Sequence, residues 1–430
     1  MKVSKNHDRR LILLIIVILP FAFSLPSMAA PLVQVGLSTT EPTLQLAGQC
    51  SVFDSAGHII AENDAGIQLE AVDGQVWLNG TSHVVLRAVP TGLDSAACIE
   101  VNGRPYRGDI IISAVGNKVK VVNELDVEEY LLGVLPLEMP PAWPLEALKA
   151  QAVAARTFAL KNINLHRNEG FGLCDSSHCQ VYGGARVECA SSSMAVKETA
   201  GMVIKYRGDL IEAYYHASSG GKTETSGAVW GSDRPYLAVV TDEADLLSPY
   251  ASWQACFSPE QVGQKLASHG YSIGAIQDLE IISRTSSGRA DFVEIKGLEG
   301  KATIAAATLR HVLGLNSTMF DIIMDKERSG VRTVSVLVLD NTSSFVTTVA
   351  AGTSVVTAQG TETLYSVGTD TSRGRQGGSN IVFRGSGYGH GVGLSQWGAK
   401  ALAEKGMPGN NNVFLEILTH YYRGVTIEPY

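Results

Sequence analysis

The sequence lacks the features that mark several large classes of protein. It has no excess of positive charge: 34 lysines and arginines stand against 42 aspartates and glutamates, giving a net charge of −8 at pH 7. This balance argues against a nucleic-acid partner. The recurring glycines near the C-terminus lack GxGxxG spacing and no P-loop lysine follows them, which argues against nucleotide binding.

Long apolar runs are also scarce, and the most conspicuous one is Leu11–Phe23. Four basic residues precede it and Ser27-Met28-Ala29 follows, which is the three-part layout of a secretory signal. We therefore predict a signal peptide over residues 1–29, with a secreted or extracytoplasmic protein after it. An uncleaved membrane anchor is the alternative, although the run is short for a membrane span and contains Pro20.

No flexible linker is evident before residue 340, so the domain organisation is read from the change of pattern. Residues 30–122 alternate short apolar runs with the turn pairs Asp73-Gly74, Asn79-Gly80 and Asn102-Gly103, which predicts antiparallel β structure. Residues 123–430 mix helical and strand patterns, and the whole chain is therefore predicted to be α+β. A Ser-, Thr- and Gly-rich segment around 340–380 is either a set of short strands or a surface insertion.

Helical patterns are predicted over 127–164, 191–199, 259–268 and 305–313. In the first block, Pro144 suits a helix start, and Leu148, Ala152 and Ala155 belong to one apolar stripe. Lys149 and Arg156 lie on another stripe, which could present cations to a substrate or be merely solvated. Strands are predicted at 211–219 and 235–241, and a hairpin around Ser287-Gly288.

Glu138 is the candidate catalytic acid. Its apolar sequence neighbours can remove water from the carboxyl group, and desolvation raises a carboxyl pKa toward the range where it donates a proton near neutrality. These neighbours are Leu137, Met139, Pro140, Pro141 and Trp143. On residue type alone, a solvated loop glutamate is the alternative.

Two glycine-containing segments supply further candidates. In YYHASSGGKT the paired glycines permit close backbone approach, and neighbouring side chains could hydrogen-bond sugar hydroxyls. The predicted binding residues there are His216, Ser218, Ser219, Gly220, Gly221 and Thr223. In GYGHGVGLSQWGA, glycine occupies every second position, so an extended segment would have one bare face. His390 and Gln396 are the candidates in that segment, and Ser395 is expected to cap a helix over 396–405 that Gly406 ends.

Cysteine and histidine cluster in one further segment. Cys174 and Cys179 flank His178, and His166 lies eight residues before Cys174, a combination of soft and imidazole ligands that suits zinc but lacks common zinc-finger spacing. Six cysteines in a secreted protein can also form disulfides, so a Cys174–Cys179 bond remains open. A bridge between Cys50 and Cys98 is expected in the β region.

Together these motifs resemble the stage II sporulation protein D family, also called the SpoIID and LytB domain family. The resemblance rests on the LEMP segment containing Glu138, EALKAQAVAARTFAL, YYHASSGGKT, LRHVLGLNSTMF and GYGHGVGLSQWGA, in the family's order. It implies a bacterial cell-wall protein, with some members acting as lytic transglycosylases on peptidoglycan and some binding a metal. The positions that match those metal ligands are Cys174, Cys179 and His166, with a shorter interval between the cysteines.

The expected function is therefore cleavage of peptidoglycan glycan strands, with Glu138 acting first as acid and then as base to give a 1,6-anhydro product. A hydrolase would need a second carboxylate, for which Asp126, Glu128 and Glu129 are the candidates nearest in sequence. The alternative is a noncatalytic wall-binding protein that enhances an amidase or scaffolds other cell-wall hydrolases.

Overall fold

Antiparallel strands build the N-terminal part of the chain. The computed structural model describes residues 30–38, 41–63, 66–92, 97–324, 333–339, 344–350, 354–357, 360–363, 380–406 and 412–430, with backbone only between 333 and 363. The first strands are β1 (Leu32–Leu37), β2 (Thr43–Ala47), β3 (Cys50–Phe53), β4 (Ile59–Asn63), β5 (Ile67–Val72), β6 (Gln75–Leu78), β7 (Thr81–His83), β8 (Val85–Pro90), β9 (Ile99–Val101), β10 (Arg104–Tyr106), β11 (Asp109–Val115) and β12 (Lys118–Asp126).

Helices and short strands alternate in the middle of the chain. They are α1 (Val127–Glu138), α2 (Leu145–Lys161), β13 (Leu173–Cys174), α3 (Ala190–Glu198), β14 (Met202–Tyr206), β15 (Asp209–Leu210), β16 (Tyr215–His216) and α4 (Ser226–Trp230). Next come β17 (Trp253–Phe257), α5 (Pro259–Ala267), β18 (Ile276–Arg284), β19 (Ala290–Gly297), β20 (Gly300–Ala305), α6 (Ala306–Leu313) and β21 (Phe320–Met324).

Two hairpins and a final mixed segment complete the chain. The hairpins pair β22 (Thr333–Leu339) with β23 (Ser344–Ala350) and β24 (Ser354–Thr357) with β25 (Gly360–Thr363). The last elements are β26 (Ile381–Gly385), β27 (Leu394–Ser395), α7 (Gln396–Lys405), α8 (Val413–Tyr421) and β28 (Thr426–Pro429). The segment around 340–380 therefore contains short strands, in agreement with one of the two interpretations. The chain is α+β, as predicted.

Burial alternates along the N-terminal strands as half-buried sheets require. In β5, Ile67, Leu69 and Ala71 are buried while Gln68 and Glu70 are exposed. The strands form two sheets, ordered β13-β1-β12-β11-β8-β3-β4 and β10-β9-β2-β5-β6-β7, and β5 and β6 contact β11 across the interface. The predicted boundary at residue 122 falls inside β12, so residues on both sides of it belong to one strand.

The three predicted turn pairs are confirmed. In Asp73-Gly74, Asn79-Gly80 and Asn102-Gly103 both residues have positive φ, between 49° and 79°. Two consecutive residues with positive φ define a type I′ hairpin turn, for which Asn-Gly and Asp-Gly are the preferred sequences. Each pair joins two adjacent antiparallel strands.

The central helix of the molecule is α2. Thirteen of its seventeen residues are buried, and it contacts α1, α3, α7, α8 and β14. A helix surrounded on all sides must be apolar or small around its whole circumference, and the alanine-rich sequence meets this need. The predicted core stripe is confirmed, since Leu148, Ala152, Ala155 and Ala159 are fully buried.

Residues 253–324 and 381–385 have an apolar core of their own, formed by β17 to β21, α5, α6 and β26. The predicted hairpin around Ser287-Gly288 is confirmed as β18 and β19, and the helix predicted at 259–268 is α5. The prediction of a strand at 235–241 is wrong: that segment makes one isolated bridge, between Lys222 and Thr241. At 211–219 the strand is reduced to Tyr215–His216.

Candidate functional site

Glu138 is the last residue of α1. The side chain of Asp126 accepts the amide of Glu129 at the start of this helix, and Met139 has extended backbone at its end. Pro140 follows, and a proline disfavours helical conformation at the residue before it. The chain therefore leaves the helix directly after the glutamate. The carboxyl group is thus positioned by a helix end and not by a loop.

Two donors act on the Glu138 carboxyl group. The backbone amide of Val181 donates to Oε1 at 2.8 Å, and the nearby Tyr215 hydroxyl lowers the pKa of the same carboxyl group. Burial raises the pKa of Glu138, while these two donors lower it, and the net shift is upward. The group can therefore hold a proton at higher pH than an ordinary glutamate, and both donors also suit its ionised form.

A chain of hydrogen bonds extends inward from this group. Gln180 Nε2 donates to the hydroxyl oxygen of Tyr215 at 3.0 Å, and the hydroxyl of Tyr130 donates to Gln180 Oε1 at 3.3 Å. Gln180 is fully buried. Because the Tyr215 oxygen already accepts a hydrogen bond from Gln180, the hydroxyl hydrogen of Tyr215 is free to point toward Glu138.

The residues that shield Glu138 differ from those predicted. Leu137 is 44% exposed, and Pro140 is also exposed, whereas Met139 is fully buried. Trp143 packs edge-on against Trp397, with ring centroids 4.7 Å apart. The sequence-adjacent residues are therefore only partly positioned to shield the carboxyl group, and Val181 contacts it from a distant segment.

Gln396 lies beside Glu138, as a candidate site residue should. Its Nε2 donates to the backbone oxygen of Glu138 at 2.8 Å. The helix α7 follows, with Ser395 accepting the amide of Gly398 and Gly406 at the other end, as predicted. Gln396 thus joins the C-terminal segment to the end of α1.

The two glycine-containing segments bind each other. Ser218 and Tyr388 exchange backbone hydrogen bonds of 3.0 and 2.8 Å, and β16 pairs with β27 in parallel. Gly220 has φ of +71°, and a Cβ on it would lie 2.7 Å from the Gly387 amide nitrogen. The predicted close approach is therefore between two segments of this chain. All four glycines of GYGHGVG have positive φ, so the segment is not a regular extended strand.

The hydroxyl groups of Ser218, Ser219 and Thr223, which are predicted to bind sugar, are buried and hydrogen-bond within the chain. Ser218 donates to Asp245 at 2.7 Å, Ser219 donates to Asp242 at 2.9 Å, and Thr223 donates to a backbone carbonyl. All three residues are at most 1% exposed. The buried Asp242–Asp245 pair was missed by sequence reasoning, and it uses the hydroxyl groups that were assigned to sugar binding.

His216 and His390 lie together, with ring centroids 5.5 Å apart. His216 Nδ1 lies 3.1 Å from the Val392 carbonyl, which identifies that nitrogen as the donor, and His390 Nδ1 accepts the Val392 amide at 3.0 Å. Burial lowers the pKa of His390 to about 4 and that of His216 well below its usual value. Both rings are therefore neutral near pH 7.

The predicted cationic face of α2 does not exist. Arg156 is fully buried and makes two bonds of 2.8 and 2.7 Å to the Glu128 carboxylate. Lys149 pairs with Glu146 and Glu198, each at 2.7 Å, and is 8% exposed. Both cations stabilise helix packing, because α2 is covered by neighbouring elements on all sides.

A compact cluster of possible metal ligands joins His166, Cys174, His178 and Cys179, whose ligand atoms all lie within 4.8 Å of one another. The two imidazole nitrogens are 3.3 Å apart, and the sulfur-to-nitrogen distances are between 3.4 and 3.8 Å. Tetrahedral zinc with bonds of about 2.3 Å to sulfur and about 2.0 Å to nitrogen separates such atoms by about 3.3 to 3.6 Å. The spacing of these atoms fits zinc, and His178 offers a fourth possible ligand beside the three that the resemblance implies.

The cysteines are not joined by disulfide bonds. The predicted bridge between Cys50 and Cys98 is not formed. Cys174 and Cys179 are also unbridged, and the Cys174 amide donates to Cys179 Sγ at 3.4 Å. Burial raises the pKa of the Cys174 thiol, but hydrogen bonds to Ser176, Cys179 and His178 together lower it to about 6, whereas burial raises the pKa of Cys179 to about 12. A thiolate at neutral pH is the form that binds metal.

Among the described residues, no helix combines the length and apolar character needed to span a bilayer. Residues 1–29, where the signal peptide is predicted, lie outside the described part of the chain.

The fold and site together define an α+β protein in which the desolvated Glu138 carboxyl group is contacted by segments that are distant in sequence. The model of the SpoIID family, described as "Stage II sporulation protein", matches residues 115–206. The chain belongs to this family.

Three relatives document the similarity. The chain is 33% identical over 361 residues to the "Amidase enhancer" of Bacillus subtilis (strain 168), which is 80% of this chain and 47% of that protein. The chain therefore spans about half the length of that relative. It is 30% identical to an uncharacterized protein of Brachyspira hyodysenteriae, covering 77% of this chain and 74% of that protein. Identity to "Stage II sporulation protein D" of Bacillus amyloliquefaciens is 29%, with 71% and 75% covered.

Proposed function

We propose that this chain remodels the bacterial cell wall by cleaving peptidoglycan glycan strands, with Glu138 as both acid and base. The relatives named "Amidase enhancer" and "Stage II sporulation protein D" support a role in the wall. The observation that carries the enzymatic part is the raised pKa of Glu138 in a site where two donors also suit its carboxylate form.

In the first step, protonated Glu138 donates its proton to the oxygen that bridges N-acetylmuramic acid and N-acetylglucosamine. The glycosidic bond breaks, the N-acetylglucosamine residue leaves with a new hydroxyl group, and positive charge develops on the muramic ring. The Val181 amide and the Tyr215 hydroxyl then hold the carboxylate that remains.

In the second step, this carboxylate takes the proton from the C6 hydroxyl group of the muramic residue. The C6 oxygen bonds to C1, which closes a 1,6-anhydro ring and returns Glu138 to its protonated form. The nucleophile is part of the substrate, so the reaction benefits from proximity and needs no water.

The position of the other candidate carboxylates favours this reaction over hydrolysis. Asp126, Glu128 and Glu129 lie at the opposite end of α1 from Glu138. At about 1.5 Å per residue, nine to twelve residues of helix separate them from Glu138 by roughly 13 to 18 Å. Hydrolases place their two carboxyl groups at most about 9.5 Å apart. Asp126 also caps the helix, and Glu128 is paired with Arg156.

The second candidate function is a noncatalytic wall protein that enhances an amidase, and the printed name of one relative favours it. The variant Glu138→Gln separates the two functions, because glutamine keeps the side-chain size and can still accept the Val181 amide. An acid catalyst loses strand cleavage and retains glycan binding. An enhancer retains its effect on a purified amidase.

We also propose that His166, Cys174, His178 and Cys179 bind one zinc ion. Four protein ligands leave no open position, so the ion would stabilise the fold and would not activate water. It would fix the loop that precedes Gln180 and Val181, the two residues whose hydrogen bonds reach the Glu138 site. The binding of zinc by four such ligands contributes directly to the free energy of folding.

The proposed site of action lies outside the cytoplasm, in contact with peptidoglycan and with other cell-wall hydrolases. The motif at residues 1–29 supports this location, since it has the layout of a secretory signal. The net negative charge supports a substrate other than nucleic acid.

A further inference from the structure

Three aromatic rings form a surface cluster next to β16. The ring centroid of Trp230 lies 4.4 Å from that of Tyr214 and 5.2 Å from that of His390, and the Tyr214 and His390 rings are 6.4 Å apart. Trp230 is 47% exposed. We call Tyr214, Trp230 and His390 the aromatic platform.

One ring of the aromatic platform, Tyr214, is fixed by contacts with buried elements of the fold. The Tyr214 ring packs against Phe158 of α2 at 6.2 Å, and its backbone oxygen accepts from the Tyr422 hydroxyl at 2.8 Å and from the Leu394 amide at 3.1 Å. Gly393, with φ of +74°, permits this approach, because a Cβ there would lie 2.0 Å from the Tyr214 oxygen. The rings are therefore positioned before any ligand binds, which reduces the entropy lost on binding.

Trp230 is fixed at the end of a short helical turn. The Thr225 side chain accepts the Ala228 amide at the start of α4, and Gly231 follows Trp230 in left-handed conformation. A large apolar ring that is both fixed and exposed is typical of a contact surface. The flat C–H face of a pyranose ring fits an indole face, and the neighbouring Tyr214 hydroxyl can hydrogen-bond sugar hydroxyl or acetamido groups.

The aromatic platform is separate from the Glu138 pocket. Tyr214 and Tyr215 are consecutive, but their side chains diverge: Tyr215 reaches Gln180 and Glu138, whereas Tyr214 reaches Phe158 and Trp230. Trp230 contacts Tyr214 and His390, whereas the contacts of Glu138 are with Val181, Tyr215 and Gln396.

We propose that the aromatic platform is a second glycan-binding area, which stacks amino-sugar rings and holds long strands while another part of the same strand lies at Glu138. The identity of the polymer rests on the proposed function. A second binding area on the same chain raises the affinity for long strands through effective concentration.

The test compares affinity across ligand lengths in the Glu138→Gln background, so that binding is measured without cleavage. The probes are N-acetylglucosamine oligosaccharides of increasing length and peptide-free glycan strands, measured by calorimetry. Trp230→Ala should bind long strands roughly tenfold more weakly and the shortest oligosaccharides unchanged. Trp230→Phe should be intermediate, because a smaller aromatic face remains. The matched control is Trp77→Ala, which removes a 38% exposed tryptophan from β6.

Three results would overturn the proposal. They are an equal loss at every length, no loss at any length, and an equal effect of Trp77→Ala on long strands. If Trp230→Ala does not fold, Trp230→Phe and Trp230→Tyr carry the same length-dependent test. If long strands bind through the aromatic platform but the unmodified chain forms no anhydro product, the enzymatic function fails while this inference stands.

Discussion

The hydroxyl group of Tyr215 lowers the pKa of the Glu138 carboxyl group, although 77 positions separate the two residues in the sequence. Gln180 orients this hydroxyl group by donating to the tyrosine oxygen at 3.0 Å. The contact joins the end of α1 to β16, and it connects the candidate acid to the segment that contacts the C-terminal glycine loop.

Replacing Tyr215 by phenylalanine should move the pH dependence of cleavage. The hydroxyl donates to the carboxylate form and lowers the pKa of Glu138, so its removal should raise that pKa further. The basic limb of the profile of kcat against pH should then shift to higher pH. Tyr271→Phe, in the separate core of residues 253–324 and 381–385, should leave the profile in place. A shift to lower pH would contradict the role assigned to the Tyr215 hydroxyl group.

Glu138→Gln should change the pH dependence of stability. Because the folded-state pKa of Glu138 is raised by burial, the folded protein binds this proton more tightly than the unfolded chain does. Its contribution to stability is therefore complete below the ordinary glutamate pKa and is lost as pH rises through the raised pKa. Urea unfolding should give equal stabilities for both proteins at low pH and a more stable variant at neutral pH. Parallel curves would show that Glu138 is not desolvated.

Glu128→Gln should strongly destabilise the fold. It would leave Arg156 fully buried without its carboxylate partner, and breaking such a pair typically costs about 3 kcal/mol or more. The control is Glu404→Gln, which removes an exposed i,i+4 pair with Lys400 and should cost less than about 0.5 kcal/mol. Free energies of unfolding in urea provide the comparison. Equal losses in the two variants would contradict a structural role for Arg156.

Metal analysis tests the proposed zinc site. Protein purified with a thiol reductant should contain about one zinc ion per chain, and His178→Ala and Cys179→Ala should lose it and melt at lower temperature. His311→Ala, which removes an exposed histidine of α6, should retain the metal. A metal-free protein with a Cys174–Cys179 disulfide in its mass spectrum would support the alternative that the sequence left open.

Local patterns predicted the elements that neighbouring residues determine. The three Asx-Gly turns, the hairpin at Ser287-Gly288 and the helix Gln396–Lys405 depend on φ preferences, alternation and capping within a few residues. The strand predicted at 235–241 failed because an apolar run does not reveal whether a partner strand is available.

The environment of the candidate site was less accessible to sequence reasoning. The donors to Glu138 come from 43 residues away at Val181 and 258 residues away at Gln396, so no local window contains them. Arg156 and the hydroxyl groups of Ser218 and Ser219 resembled ligand-binding groups by residue type, yet buried carboxylates bind them. Their role depends on tertiary partners and not on their neighbours in sequence.

Mass spectrometry of the products from purified, peptide-free glycan strands tests the central claim most directly. The unmodified chain should release fragments with 1,6-anhydromuramic ends, and Glu138→Gln should release none while still binding the strands. Reducing ends would contradict the single-carboxylate mechanism and indicate hydrolysis. An absence of products, with an amidase still enhanced by both proteins, would contradict the enzymatic function itself.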